Sequence, residues 1–266
     1  MEVRLESIGI ERKDKIITIS SLNPIVSYLG EKVIDVCRKL SESGHRSLPV
    51  VDKKLQLKGI VTITDIFSLL ISENDIKLPV ENIMSREVVF CDANEIIEYV
   101  LQKMKISKRG RLPVTLGNKV VSIISETDFI LSTKDFSIFD NIEISEVMIR
   151  KPFFITSSFS VKDAVKTMVN GKYRRLPVVD SGILIGYVTS TLLLKVIVEN
   201  SFSEEIWGKN ISEVMRKNPI VVKYSEKLSE VLKKMREKSI SSMLVVNEEG
   251  KLEGIFTERD YVNILV

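Results

Sequence analysis

The sequence predicts a mixed α/β fold, classed as α/β (α+β), built from four tandem β-α-β-β-α units. Three recurring features carry that prediction. An apolar tetrapeptide returns at near-constant spacing, a stripe of apolar residues at helical period precedes it, and a strand-to-helix step with a hydroxyl residue follows it. The tetrapeptide lies in RSLPVVD (46–52), GRLPVTL (110–116), RRLPVVD (174–180) and SSMLVVN (241–247). Its marker position is Pro49, Pro113, Pro177 and Leu244, so the repeat is 64, 64 and 67 residues long.

The elements of each repeat follow in chain order. A short extended segment opens it: NPIVSY (23–28), EVVFCD (87–92), KPFFIT (151–156) and NPIVVK (218–223), rich in residues that suit strands. An amphipathic helix comes next, with its apolar stripe at Val33, Val36, Cys37, Leu40; Ile97, Val100, Leu101, Met104; Val161, Ala164, Val165, Met168; and Leu228, Val231, Leu232, Met235. This places Cys37 in the core, and Cys91 falls in an opening strand, so neither reads as a reactive thiol. The tetrapeptide strand then turns through DKKLQLKG (52–59), LGNK (116–119), DSG (180–182) or NEEGKLEG (247–254) into a second strand that runs into a second helix.

That last junction carries chemistry. It reads GIVTITD (59–65), SIISETD (122–128), GYVTSTL (186–192) and GIFTERD (254–260). A hydroxyl residue recurs as Thr62, Ser125, Thr189 and Thr257, and an acid three residues later as Asp65, Asp128 and Asp260. Ser, Thr and Asp are favoured helix caps, which accounts for any single copy. In four copies, a hydroxyl and exposed N–H groups at a helix start also form an anion site, and an Asp one turn away can accept both hydroxyls of a ribose. One residue can serve both purposes.

Composition excludes several classes of function. Hydrophobic residues at 44% and charged residues at 28% fit a globular chain, and a net charge of +3 is too small to act as a signature for nucleic acid. The longest uncharged run, Ile16 to Gly30, is 15 residues, short of the roughly 18 to 20 that span a bilayer. The first 15 residues carry charge throughout and lack the apolar region of a secretory signal, so a cytoplasmic location is expected. Two cysteines 54 positions apart make no disulfide framework or metal motif, and the single histidine, His45, stands in a polar segment. No Gly-rich phosphate loop or nucleophile elbow is present, so an enzyme is not expected and the catalytic and metal sites are both read as none.

Each unit resembles a cystathionine-β-synthase (CBS) motif, a β-α-β-β-α module marked by an RLPVVD-like strand and a G-h-x-[ST]-x-x-D step. Four such motifs lie at about 15–72, 79–135, 142–199 and 209–266. The resemblance implies pairing about pseudo-twofold axes into two Bateman modules, residues 1–137 and 138–266, in a disc similar to the γ subunit of the AMP-activated kinase. It also implies a regulatory, non-catalytic chain that binds AMP, ADP, ATP or S-adenosylmethionine in clefts between repeats, requires no cofactor, and signals to a separate protein or through a homodimer. By position, Asp65, Asp128 and Asp260 would hold ribose. Thr62, Ser125, Thr189 and Thr257 would reach phosphate or ribose, and Arg46, Arg111, Arg174 and Arg175 phosphate. Adenine would lie against Ile25, Val26, Val89, Phe90, Ile220 and Val221, which are also core candidates.

The departures are informative. Leu192 stands where repeat 3 should have its acid, so that cleft is expected to be empty or to hold ligand in another way. Repeat 4 has Ser241 and Ser242 for the basic residues, and Ser122 in repeat 2 replaces a Gly, where it is expected to crowd the backbone's approach to a ligand. A nucleic-acid-binding protein is the alternative, with KKMREK (233–238) and QKMKISKRGR (102–111) tracking phosphates.

Overall fold

The computed structural model describes residues 3–72 and 75–265. All sixteen stripe residues are buried, so the helical period determines which side of each first helix faces inward: Val33–Ser43, Ile97–Ser107, Val161–Gly171 and Leu228–Glu237. The hairpins form at Ser47–Val51 with Leu57–Thr62, Arg111–Leu116 with Lys119–Ser125, Arg175–Asp180 with Ile183–Thr189, and Ser242–Val246 with Leu252–Thr257. Ser47–Val51 and Ser242–Val246 are buried along their whole length. This is why they read as continuous apolar runs without alternation.

The opening strands are shorter than the sequence predicts. Two residues pair in repeat 1 (Ser27–Tyr28) and repeat 2 (Cys91–Asp92), and repeat 3 has a single bridge, Ile155 to Val178. Proline sets this limit. The parallel pairing starts one residue after Pro49, Pro113 or Pro177, because a proline has no N–H to offer it. Where Leu244 replaces the proline, Val221 pairs with Leu244 itself and the strand lengthens to Val221–Lys223.

The chain divides into two compact units, each discontinuous in sequence. Unit 1 comprises Met1–Pro24, Val89–Pro152 and Ile220–Val266; unit 2 comprises Ile25–Val88 and Phe153–Pro219. Unit 1 therefore holds repeats 2 and 4, and unit 2 holds repeats 1 and 3. In unit 2, helix Val33–Ser43 packs on Ser190–Glu199, and Ile63–Ser72 packs on Val161–Gly171, a reciprocal exchange between the two repeats. In unit 1, Glu126–Ser132 packs on Glu258–Ile264. Within each unit the helices match odd repeat with odd and even with even.

The segment leading into each repeat supplies an outer strand elsewhere. Ser21–Leu22 adds to Lys119–Ser125 and Ile149–Arg150 to Leu252–Thr257, both within unit 1; Arg216–Lys217 adds to Ile183–Thr189 and Ser85 bridges Ile60, both within unit 2. The residues ahead of the first repeat also pack. Val3, Leu5, Ile8 and Ile10 are buried in the core of unit 1, although their mixed polar sequence predicts no element.

These outer strands account for the glycine of the G-h-x-[ST] step. A Cβ on Gly59 would lie 2.5 Å from Met84 Sδ and 3.0 Å from the Ser85 carbonyl. One on Gly186 would lie 2.7 Å from both Met215 Sδ and the Arg216 carbonyl, and Gly254 faces Met148. Ser122 is accommodated because its neighbour is a serine: its hydroxyl lies 2.6 Å from Ser20 Oγ and donates to the Ser21 carbonyl at 2.7 Å. The expectation that Ser122 crowds a ligand is corrected accordingly. The position contacts an outer strand.

Candidate adenosine site

Each predicted acid is first a helix cap. In repeat 1 the Thr62 N–H and hydroxyl donate to Asp65 Oδ2 at 2.8 and 2.7 Å, and the Asp65 N–H returns to Thr62 Oγ1 at 3.2 Å. Repeat 4 reproduces this with Thr257 and Asp260 at 2.8, 2.6 and 3.4 Å, and repeat 2 with Ser125 donating to Asp128 Oδ2 twice at 2.6 Å. Capping therefore engages one carboxylate oxygen. Among the described residues Oδ1 of Asp260 accepts no hydrogen bond, and Oδ1 of Asp128 accepts one long contact, 3.3 Å from the Ser21 hydroxyl. The outer strand thus reaches the acid of the sheet it joins.

Burial sets the electrostatics of these acids. Asp128 is only 9% exposed, and desolvation raises its pKa above the usual carboxylate value although Ser125, Ser21 and the Arg111 charge pull the other way. Asp260 is raised chiefly by desolvation as well, with the Glu126 carboxylate adding to it and Arg259 opposing. A carboxylate removed from water with an oxygen to spare gains most from ligand hydroxyls that replace the lost hydration.

The apolar wall proves exposed. Ile25, Phe90, Ile220 and Val221 face solvent, at 48% exposure for Phe90 and Ile220, while Val26 and Val89 are half-buried. The reading of these residues as core is corrected, with Val89 alone packing against the core's edge. Ile25 and Val26 lie just ahead of the paired strand, so their side chains are not sandwiched by a sheet. Ile25, Phe90 and Ile220 are thus exposed apolar surface in the opening segments of the repeats that carry Asp65, Asp128 and Asp260, a kind of surface that a flat, partly polar ring system can cover.

The predicted basic residues occupy two adjacent positions, Arg46 and Arg174 at the first and Arg111 and Arg175 at the second. The Arg46 carbonyl accepts from Ile63 N–H and the Arg174 carbonyl from Ser190 N–H, both at 3.0 Å, which fixes each arginine at the start of the following helix. Arg175 lies opposite Thr189 with its guanidinium 4.7 Å above the Tyr187 ring, and Arg111 lies opposite Ser125. In repeat 3 the Leu192 N–H still donates to Thr189 Oγ1 at 3.1 Å, so the cap survives there without an acid. Phe153, at the place of Ile25, stacks on Tyr173 with centroids 5.1 Å apart and closes off its own wall. In unit 2 a groove of about 340 Å³ is lined by Asp65, Ser68, Leu69, Ser72, Leu78, Asn82 and Ile83; of the predicted set it includes Asp65.

A model of the CBS domain matches residues 16–72, 80–133, 144–199 and 211–266. The chain belongs to the CBS domain family. Its four CBS repeats are similar to the uncharacterized protein MJ1225 of Methanocaldococcus jannaschii, 28% identical over 246 residues, covering 83% of this chain and 88% of that one. The crystal structure of MJ1225, described as a proposed archaeal homologue of the AMPK γ subunit, superposes with a TM-score of 0.87 at 26% identity over 95% of this chain and 100% of its own. An uncharacterized conserved protein from Pyrococcus horikoshii has a TM-score of 0.63 at 26% identity with the same coverages.

Other features of the CBS repeats bear on chemistry. Burial pushes both thiols, Cys37 and Cys91, up to about 12, which makes them inert. Among the described residues no cluster could hold a metal ion and no helix is long and apolar enough to cross a membrane. The helices proposed to track nucleic acid have committed cations: Lys103 pairs with Glu95 at 2.7 Å, Lys233 with Glu230 at 2.7 Å and Lys234 with Glu226 at 2.5 Å. Arg236 donates to the Thr133 carbonyl and lies over the Phe136 ring. Sequence reasoning did not single out Ser21, whose contact with Asp128 depends on a strand pairing that the local sequence does not signal.

Proposed function

We propose that this chain is a regulatory, non-catalytic protein that binds adenosine compounds, AMP, ADP, ATP or S-adenosylmethionine, at Asp65, Asp128 and Asp260, and signals occupancy to a partner protein. The observation that carries the reading is the recurring hydroxyl–carboxylate cap, desolvated at Asp128 and Asp260, in repeats whose opening segments expose Ile25, Phe90 and Ile220. A ribose supplies the two hydroxyls, adenine covers the wall, and the 5′ substituent lies toward the helix start, which follows Arg46 in repeat 1 and Arg111 in repeat 2. Pairing of successive repeats into the modules 1–137 and 138–266 belongs to the same reading, since a ligand that prefers one arrangement of repeats shifts the population toward it. A cytoplasmic setting also belongs to it.

The test is a thermal-shift screen with adenosine, AMP, ADP, ATP and S-adenosylmethionine, followed by titration calorimetry. A ligand at 100 times its dissociation constant should add about 2.7 kcal/mol of stability. No shift with any of them at millimolar concentration would remove the reading.

A further inference from the structure

The two units differ in charge at equivalent places around their candidate sites. Four backbone hydrogen bonds fix the equivalence: Ile63 to Arg46, Ser190 to Arg174, Glu126 to Gly110 and Glu258 to Ser241, each at 3.0 Å. In unit 2 the first residues of the two helices are therefore Ile63 and Ser190, uncharged, and the residues entering the hairpins include Arg46, Arg174 and Arg175. Three arginines accompany a single acid, Asp65. In unit 1 the first helix residues are Glu126 and Glu258, 3% and 2% exposed. Arg259 Nε binds Glu126 at 2.8 Å, and the Thr127 hydroxyl donates to Glu258. Four carboxylates, with Asp128 and Asp260, face two arginines, Arg111 and Arg259.

In unit 1 the two helix starts meet through the Arg259–Glu126 and Thr127–Glu258 contacts, two residues in sequence from Asp128 and Asp260; in unit 2 the helices that start after Arg46 and Arg174, Ile63–Ser72 and Ser190–Glu199, pack on each other. Glu126 and Glu258 are too buried for salt to screen them well. A glutamate on the first residue of a helix further cancels the partial positive charge that would otherwise attract a phosphate there.

We propose, on the basis of the adenosine reading above, that the units divide ligands by charge. The Asp65 site of unit 2 takes a phosphorylated adenosine. The Asp128 and Asp260 sites of unit 1 take an adenosyl compound whose 5′ substituent is uncharged or cationic, such as a thioether or sulfonium. Glu126 and Glu258 are the specificity-determining residues of unit 1, and Arg174 with Arg175 those of unit 2.

The test is calorimetry on the whole chain with ADP, 5′-methylthioadenosine and S-adenosylmethionine, singly and with each titrated into protein saturated with another. ADP and S-adenosylmethionine should bind together without competition. An R174Q/R175Q variant should lose at least tenfold in ADP affinity and keep its S-adenosylmethionine affinity within about twofold, which also shows that it is folded. A D128N/D260N variant should do the reverse. Full mutual displacement of ADP and S-adenosylmethionine, or unchanged ADP affinity in R174Q/R175Q, would overturn the division while leaving adenosine binding intact. Failure of every adenosine compound to bind the unmodified chain would instead overturn the underlying reading, and the division with it.

Discussion

Replacing Asp260 separates its two roles. Alanine at 260 removes the acceptor for the Thr257 N–H and hydroxyl, now held at 2.8 and 2.6 Å. Loss of a helix cap costs about 1 kcal/mol, and a part-buried N–H left without a partner adds about 1 to 2 kcal/mol. Relief of the carboxylate's desolvation, which raises its pKa, offsets part of this. Asp260→Ala should therefore destabilise by about 1 to 2 kcal/mol in urea unfolding. Asp260→Asn keeps an acceptor for the cap and should cost less than about 1 kcal/mol. Both variants lose the charged acceptor for two ribose hydroxyls, worth about 1.5 to 3 kcal/mol, or roughly tenfold to a hundredfold in dissociation constant. The paired measurement decides between capping alone and capping with binding. If Asp260→Asn leaves the affinity for every adenosine ligand unchanged, Asp260 is only a cap and the site assignment fails.

Three further outcomes are expected. Because the Asp128 and Asp260 pKa values are raised, both acids become protonated at a pH above their ordinary 3.8. Ligand affinity in unit 1 should then fall as pH drops through that raised range, and a flat calorimetric profile to pH 4 would count against carboxylate recognition of ribose. Gly59→Ala should destabilise by about 1 to 3 kcal/mol, because its methyl meets Met84 and the Ser85 carbonyl, and adding Met84→Ala should recover part of the loss in a double-mutant cycle; independent, additive effects would refute that contact. Both cysteines should resist a thiol reagent in the native state and react on unfolding, since burial holds each near 12; rapid labelling of either would refute their burial.

The repeats, their helix stripes and the strand-to-helix acids were legible because each depends on periods and spacings of a few residues, which local geometry imposes on the sequence. The length of the opening strand was less so. It depends on whether a proline or Leu244 faces it across the sheet, which becomes visible only in register. The G-h-x-[ST] glycine was seen as a motif but assigned to the wrong neighbour, because the methionine that needs its space lies on an outer strand from elsewhere in the chain.

By itself, then, the sequence determined four β-α-β-β-α units, their buried faces and the capping acids, all consequences of local backbone periodicity. Only the tertiary structure decided that repeat 1 packs with repeat 3 and repeat 2 with repeat 4, that Ile25, Phe90 and Ile220 are exposed, and that Ser21 reaches Asp128. The reason is physical. Apolar stripes and unpaired strand edges state that partners are needed, but which partner satisfies them is chosen by packing between segments 100 or more residues apart, as with Ser21 and Asp128, 107 positions distant.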